Sequence, residues 1–293
     1  MRCSIAVGIP TVGRAAILCE TLSELTRQTR RPDQVIVCGT ETSDVDGAVD
    51  AFPGLTLLSS PPGLPRQRNA VLAAAAAAGA DIVLFFDDDF LPDPAYLAAI
   101  EQHMTHDPAC VVATGLVLAD GIGGPGLSTA TGRLLLAEAK PAGSGIKTTF
   151  SGYGCNMAVR LACLRRHDLQ FDERLPLYGW QEDVDLSRRL AAFGSVVQLE
   201  AARGVHLGVK RGRGSGIRLG YSQVANPLYL AGKHCGYPFG RAMRHVARNM
   251  AMNIARAGWP ESYVDRRGRL RGNIFALRDL LRGRMSPERV LEL

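Results

Sequence analysis

The sequence holds seven cysteines, at 3, 19, 38, 110, 155, 163 and 235, yet no Cys-x-x-Cys pair. Scattered thiols, odd in number and mostly inside apolar runs, exclude a zinc ribbon and a disulfide framework. They point to reduced core residues of a cytoplasmic protein. Long apolar runs are missing too. The longest, 70–86, is alanine-rich in its first half and interrupted by Gly79 and Asp81, whereas a membrane-spanning helix needs about 20 strongly apolar residues. Residues 1–9 read as a strand without a cleavage site, so no secretory signal is expected. No internal repeat is present. Lysine is absent from residues 241–293, which carry 12 Arg and 5 acids, a charge of +7. The remaining 240 residues hold 22 basic and 23 acidic groups, a charge of −1. A near-neutral body thus precedes a basic tail, which suits a solvated helix face or an anionic surface.

What is present fits one sizeable α/β domain with a helical extension, in a chain of 293 residues that is 46% hydrophobic and 21% charged. Short apolar runs at 3–9, 35–38, 55–58, 81–86 and 111–118 read as strands. Amphipathic or alanine-rich stretches between them read as helices. Such alternation predicts a mostly parallel sheet covered by helices. Residues 119–147 are rich in glycine, weakly periodic and read as a long loop. A strand at 156–159, a helix at 182–193 and a strand at 195–199 follow. The rest reads as helices near 221–233, 240–257 and 273–282. The predicted division is a catalytic domain over 1–218 and a basic helical extension over 219–293.

Four clusters carry chemistry. Asp87-Asp88-Asp89 ends a buried strand, where ligands bind in open α/β sheets. Adjacent carboxylates repel, and a hard cation such as Mg²⁺ or Mn²⁺ relieves them; an acidic turn before the next helix is the alternative. Gly179-Trp180-Gln181-Glu182-Asp183 places two acids in a first helical turn, where they either favour the helix dipole or supply a general base. Trp180 offers a face for a sugar ring. His206 precedes a loop, 208–216, in which Lys210, Arg211 and Arg213 alternate with glycines and can wrap a diphosphate. Arg66-Gln67-Arg68-Asn69 opens a helix and favours anions there.

In this order and spacing, the clusters resemble the family 2 glycosyltransferases of the GT-A fold. The likeness rests on Ile9-Pro10-Thr11 with Arg14, Arg68-Asn69, Phe86-Asp87-Asp88-Asp89, Gly152 through Arg160, Gly179 through Asp183, and His206. It spans roughly residues 3–215. The resemblance implies a Rossmann-like mixed sheet flanked by helices. It also implies a metal-dependent, inverting transfer of sugar from a nucleoside diphosphate to an acceptor hydroxyl, in polysaccharide or glycolipid synthesis. Asp183 becomes the general base and Glu182 its helper. Asp89 and His206 hold Mn²⁺ or Mg²⁺. Pro10, Thr11, Arg14, Arg68, Asp87 (near the ribose), Asp88, Arg211 and Arg213 bind the donor. Gly154, Asn156 and Trp180 face the donor sugar or the acceptor. Gly39 stands where the family carries an acid that grips the base, and Glu41 is the substitute. The acceptor is a glycan, glycolipid or small molecule, and no nucleic acid is expected. The tail suits a peripheral contact with the inner face of a membrane, or a homo-oligomer. Two rivals are a sugar nucleotidyltransferase, against which the glycine-poor segment 8–14 speaks, and a catalytically degenerate binder of nucleotide-sugar or protein.

Overall fold

The computed structural model describes residues 2–210 and 215–293. In chain order the elements are β1 (Ile5–Pro10), α1 (Ala15–Leu25), β2 (Gln34–Gly39), α2 (Ala48–Ala51), β3 (Thr56–Ser59), α3 (Leu64–Ala77), β4 (Ile82–Phe86) and β5 (Phe90–Pro92). Then come α4 (Tyr96–His106), β6 (Cys110–Asp120), α5 (Thr129–Glu138), β7 (Ile146–Thr148), β8 (Asn156–Arg160), α6 (Leu161–Arg166), α7 (Glu182–Leu190) and β9 (Ser195–His206). Helices α8 (Gly216–Gly232), α9 (Phe239–Arg256) and α10 (Arg266–Leu281) close the chain.

The strands form one sheet in the order β3-β2-β1-β4-β8-β6-β9-β5, with β7 also paired to β9. Strands β1, β2, β3, β4, β6 and β9 run one way, while β5, β7 and β8 run against them. The architecture is the expected α/β one, with a mostly parallel sheet flanked by helices. Central strands read as unbroken apolar runs because both their faces are covered. Ile5, Val7, Ile9, Leu84 and Phe86 join the core under α1 and α4. The alternate residues Ala6, Ile36, Val83 and Phe85 join the core under α3 and α7. Chain direction reverses its walk across the sheet between β1 and β4. The carboxyl ends of those strands border the crevice where such sheets bind ligands.

Three local expectations are corrected. Residues 119–147 are not one loop: α5, capped by the Ser128 hydroxyl on the Thr131 N–H, and the short β7 lie within them. Only Thr129 and Gly132 of α5 are buried, so the helix carries little apolar periodicity to read. Strand β9 runs on to His206, past a polar and small-residue stretch whose pairing with β6 shifts register. In the extension, α8 and α10 begin earlier than read. Their backbones touch at glycines, since a Cβ on Gly272 would fall 2.0 Å from the Ile217 carbonyl oxygen and one on Gly220 2.0 Å from that of Arg269.

Candidate active site

Three parallel strands deliver the site. β4 ends in Phe86 and runs straight into the three acids, while β6 ends at Asp120 and β9 at His206, which the register sets opposite each other. The acidic turn is pinned from its neighbours. The Thr21 hydroxyl donates to the Asp88 carbonyl at 2.7 Å, and the Leu207 N–H donates to the Asp89 carbonyl at 2.9 Å. The Val209 N–H donates to Asp89 Oδ2 at 2.7 Å. Gly208, at φ +64°, permits this approach, because a Cβ there would lie 2.3 Å from the Gly121 carbonyl carbon.

The acids then diverge. Asp88 turns inward and is fully buried, accepting from Thr11 Oγ1 at 2.6 Å and pairing with Arg14 at 2.7 Å. Burial pushes its carboxyl up to about 7 against the pull of Arg14. Asp87, Asp89 and His206 converge instead, with one ligand atom from each within 4.8 Å of the others. His206 Nε2 lies 3.4 Å from Asp89 Oδ1 and 3.9 Å from Asp87 Oδ2. Asp89 Oδ1 is buried and makes no hydrogen bond. An orphaned carboxylate oxygen facing an imidazole nitrogen and a second carboxylate suits a divalent cation of the Mn²⁺ or Mg²⁺ kind. Asp87, assigned to a ribose from the resemblance, sits in this cluster.

Asp120 and Tyr153 were not singled out in the sequence. Asp120 Oδ1 lies 2.9 Å from His206 Nδ1, and Tyr153 Oη donates to Asp120 Oδ2 at 2.8 Å. This chain fixes the imidazole so that Nε2 faces the acids. Burial opposes a charge on His206, but its hydrogen bond to Asp120 and the close Asp89 and Asp87 carboxylates raise it to about 10. The one signal available in sequence was an acid closing a strand, and its partner is set by strand register.

Arg68 is 1% exposed. Its guanidinium pairs with Glu182 at 2.9 Å and Asp87 at 3.3 Å, and donates to the Gly154 carbonyl at 2.8 Å. The Phe85 and Phe171 rings lie 5.3 and 5.4 Å away. It therefore ties the Asp87 cluster to the first turn of α7. Asp183 accepts from the Gly154 and Val184 N–H groups, both at 2.8 Å. Burial lifts Asp183 above the usual carboxylate range, against the opposing pull of Arg68. The loop before α7 is strained: Gln181, not a glycine, holds φ +73°. Such a conformation costs roughly 1–3 kcal/mol and persists only where surroundings enforce it. Here the Tyr237 hydroxyl, from the loop between α8 and α9, donates to Gln181 Oε1 at 3.3 Å, and Asn226 Nδ2 of α8 donates to the Trp180 carbonyl at 2.8 Å.

Several expected ligand contacts are not available. Arg68 and Asp88 are spent inside the protein, Thr11 is buried against Asp88, and Pro10 is buried in β1 beside Cys38. Arg14, partly exposed, also reaches Asp89 at 3.5 Å. Asn156 is fully buried and bonds Thr114 and the Gly115 carbonyl, so it serves the sheet and not a sugar. Gly154 lines the gap between Arg68 and Asp183, and a Cβ there would lie 3.1 Å from the guanidinium. Trp180 is half-buried with its ring edge-on to His245 of α9. Glu41 is exposed, while the acid that organises its loop is Asp44, which accepts from the Gly13, Thr40 and Glu41 N–H groups. Gly39 is explained by the same loop, because a Cβ there would press on Asp44 and Val45 at 3.1 Å. Arg211 and Arg213 lie outside the described residues.

A strand-end acid cluster and an Arg-tethered Glu-Asp pair thus stand beside the crevice of a mostly parallel sheet. Residues 6–162, just over half the chain, match the family described as Glycosyl transferase family 2, and the chain belongs to that family. No curated protein matches the sequence. Among solved structures, S. aureus TarS is 14% identical with a TM-score of 0.55, over 86% of this chain and 42% of its own. GalNAc-T7, solved with UDP, GalNAc and Mn²⁺, is 13% identical with a TM-score of 0.55, over 88% of this chain and 58% of its own. The mannosyltransferase PcManGT from Pyrobaculum calidifontis, solved with GDP-Man and Mn²⁺, is 19% identical with a TM-score of 0.53. That match covers 99% of this chain and 85% of PcManGT. At these identities the likeness speaks for the fold.

Proposed function

We propose that the protein is a metal-dependent, inverting glycosyltransferase that moves a sugar from a nucleoside-diphosphate sugar to a hydroxyl of a glycan, glycolipid or small-molecule acceptor. The observation that carries this reading is the convergence of Asp87, Asp89 and His206 at the strand ends, one Arg68 bridge away from Asp183. Residues 1–218 form the catalytic unit and 219–293 an extension that buttresses its acceptor loop. A role in polysaccharide or glycolipid synthesis follows from the same class of acceptor.

Asp87, Asp89 and His206 would hold Mn²⁺ or Mg²⁺, which when bound neutralises charge on a leaving diphosphate. Arg14 adds positive charge beside the same acids. Asp183 takes the proton from the acceptor hydroxyl, and its raised pKa makes it a stronger base than an ordinary carboxylate. Glu182 and Arg68 position it: the guanidinium holds Glu182, and the Gly154 N–H aims the Asp183 carboxylate. A single in-line attack from the Asp183 side inverts the anomeric centre.

The experiment is calorimetry of UDP, GDP, dTDP and CDP, each with and without Mn²⁺. The expected result is manganese-dependent binding of one nucleotide, lost in Asp89→Ala. Asp120→Asn, which leaves His206 unoriented, is expected to weaken Mn²⁺ binding by about 10–100-fold. Nucleotide binding indifferent to the metal and to Asp89→Ala would overturn the metal site. Metal-dependent binding with no transfer to any acceptor would favour the degenerate binder.

A further inference from the structure

The C-terminal helices show a surface that this activity does not use. α8, α9 and α10 enclose an open groove of about 1130 Å³, lined by Val224, Leu228, Met243, Val246, Leu277 and Leu280. Its rim is apolar and exposed. Phe239 is 65% exposed, and Leu281, next to Leu280, is 88% exposed. At 100° per residue, Met243 and Ile254 share one stripe of α9 to within about 20°, and Arg244 and Arg248 lie together on one side of it, about 100° and 140° round from Met243. Met243 and Ile254 are exposed, and Trp259, just past the helix, is 88% exposed. Apolar side chains this large and this clustered mark a contact surface.

The charge around them is of one sign. Arg244, Arg248, Arg278 and Arg282 are exposed, and among the described residues none has an ion pair with an acid. The opposite case is Arg266, which is paired to Glu261, and Arg289, paired to Asp279. Burial and the Arg241, Arg248 and Arg244 charges hold His245 below its ordinary value, a local sign of the positive field. A second copy of the chain is a poor partner, since an isologous contact sets the same patch against itself. Here it would bring +7 of residues 241–293 against +7. A nucleic acid satisfies the arginines and leaves Phe239, Leu281 and Trp259 in water. An anionic lipid surface meets both demands: arginines to headgroups, apolar side chains and a tryptophan to the acyl boundary. Among the described residues no helix is long and apolar enough to cross a bilayer, so the contact is a peripheral one.

We infer that the α9–α10 face docks on anionic phospholipid bilayers. This goes beyond the proposed transfer reaction and does not rest on it. It also has a structural route to the site: His245 of α9 meets the Trp180 ring, beside Asn226 of α8 and Tyr237 of the α8–α9 loop, which bond Trp180 and Gln181.

The test is co-sedimentation of the full chain, without donor or metal, with phosphatidylcholine vesicles and with vesicles of equal parts phosphatidylcholine and phosphatidylglycerol. The expected result is binding to the anionic vesicles alone, abolished at about 1 M salt, where the Debye length falls to about 3 Å. Arg244→Ala with Arg248→Ala is expected to weaken that binding about 30-fold, from about 1 kcal/mol per basic residue at the surface. Phe239→Ser with Leu281→Ser, both exposed and so neutral to folding, is expected to weaken it about tenfold at low salt. Failure of the folded protein to bind anionic vesicles at low salt would overturn the inference. So would binding unmoved by both double variants. A concentration-dependent dimer lost in Phe239→Ser/Leu281→Ser, without vesicle binding, would give the face to a second copy. Binding of duplex DNA or RNA without vesicle binding would give it to nucleic acid. Nucleotide calorimetry on the same protein stands apart from all of these outcomes.

Discussion

The body and the extension hold their central polar contacts in different ways. Beside the crevice of the body the enclosed contacts are charged: Arg68 lies with Glu182 and Asp87, and Asp88 with Arg14. Where the helices of the extension meet they are neutral amides, and the buried acid of the extension, Asp279, lies apart with Arg284, Arg289 and Tyr221. Asn253 donates to Gln223 Oε1 and to Asn273 Oδ1, both at 2.9 Å, and Asn273 donates to the Gly220 carbonyl at 2.7 Å. The extension keeps most of its arginines outside, and the body turns its acids in. Buried ion pairs are poor sources of stability compared with apolar packing. A body that encloses several of them beside one crevice has been shaped for what happens in that crevice. A satisfied amide network fixes how three helices pack and nothing more.

The sharpest way to break this comparison is at Asp183. Asp183→Asn keeps shape and removes the base, and transfer is expected to fall by about a hundred- to ten-thousandfold, the usual worth of such a group. Metal-dependent nucleotide binding should stay near wild type. Because burial raises the Asp183 pKa, the wild-type rate is full above that pKa and is lost as pH falls through it. The acid limb of the rate profile should therefore lie above about 3.9, the ordinary aspartate value. A profile flat through that range, or normal turnover by the Asn variant, would remove Asp183 from the reaction.

Arg68 comes next. Arg68→Ala leaves Glu182 and Asp87 facing each other in a dry site, and breaking a buried pair costs about 3–5 kcal/mol. Urea unfolding measures it. If Arg68 ties the two halves of the site together, transfer falls as well, with manganese affinity reduced through Asp87. A loss below about 1 kcal/mol would mean the two acids simply take up protons, and that the charged interior of the body is as replaceable as a surface pair.

Much of this was legible in the sequence, for physical reasons that differ by element. Strands β1, β2 and β4 announce themselves because both faces are buried. The Asp87–Asp89 turn does so because an apolar strand ending in three acids is costly without a purpose. What failed were inferences from adjacency. Asp88 sits between two convergent acids and points the other way. Asn156 and Arg68 lie within recognisable motifs, yet both are sealed inside. Asp120 went unnoticed because its link to His206 exists only through the pairing of β6 with β9, 86 residues apart in the chain. The Gly220–Gly272 contact of α8 and α10 is likewise invisible until the helices are set against each other.

The mildest probe lies in that contact region and tests the other half of the comparison. Asn253→Ala removes the donor to both Gln223 and Asn273 and leaves two buried amide oxygens short of a partner, at a cost of about 1–3 kcal/mol. The loss should show in urea unfolding and not in the turnover number, since no atom of the network approaches the acids. Arg266, which also reaches Asn253 Oδ1 at 3.3 Å, keeps its pair with Glu261 in the variant and limits the damage. A fall in turnover matching the fall in stability would show that the helices do more than brace the Trp180–Gln181 loop. The strain at Gln181 would then be held in place by the whole packing of α8, α9 and α10, and the line between a charged working body and a neutral supporting extension would have to be redrawn at that loop.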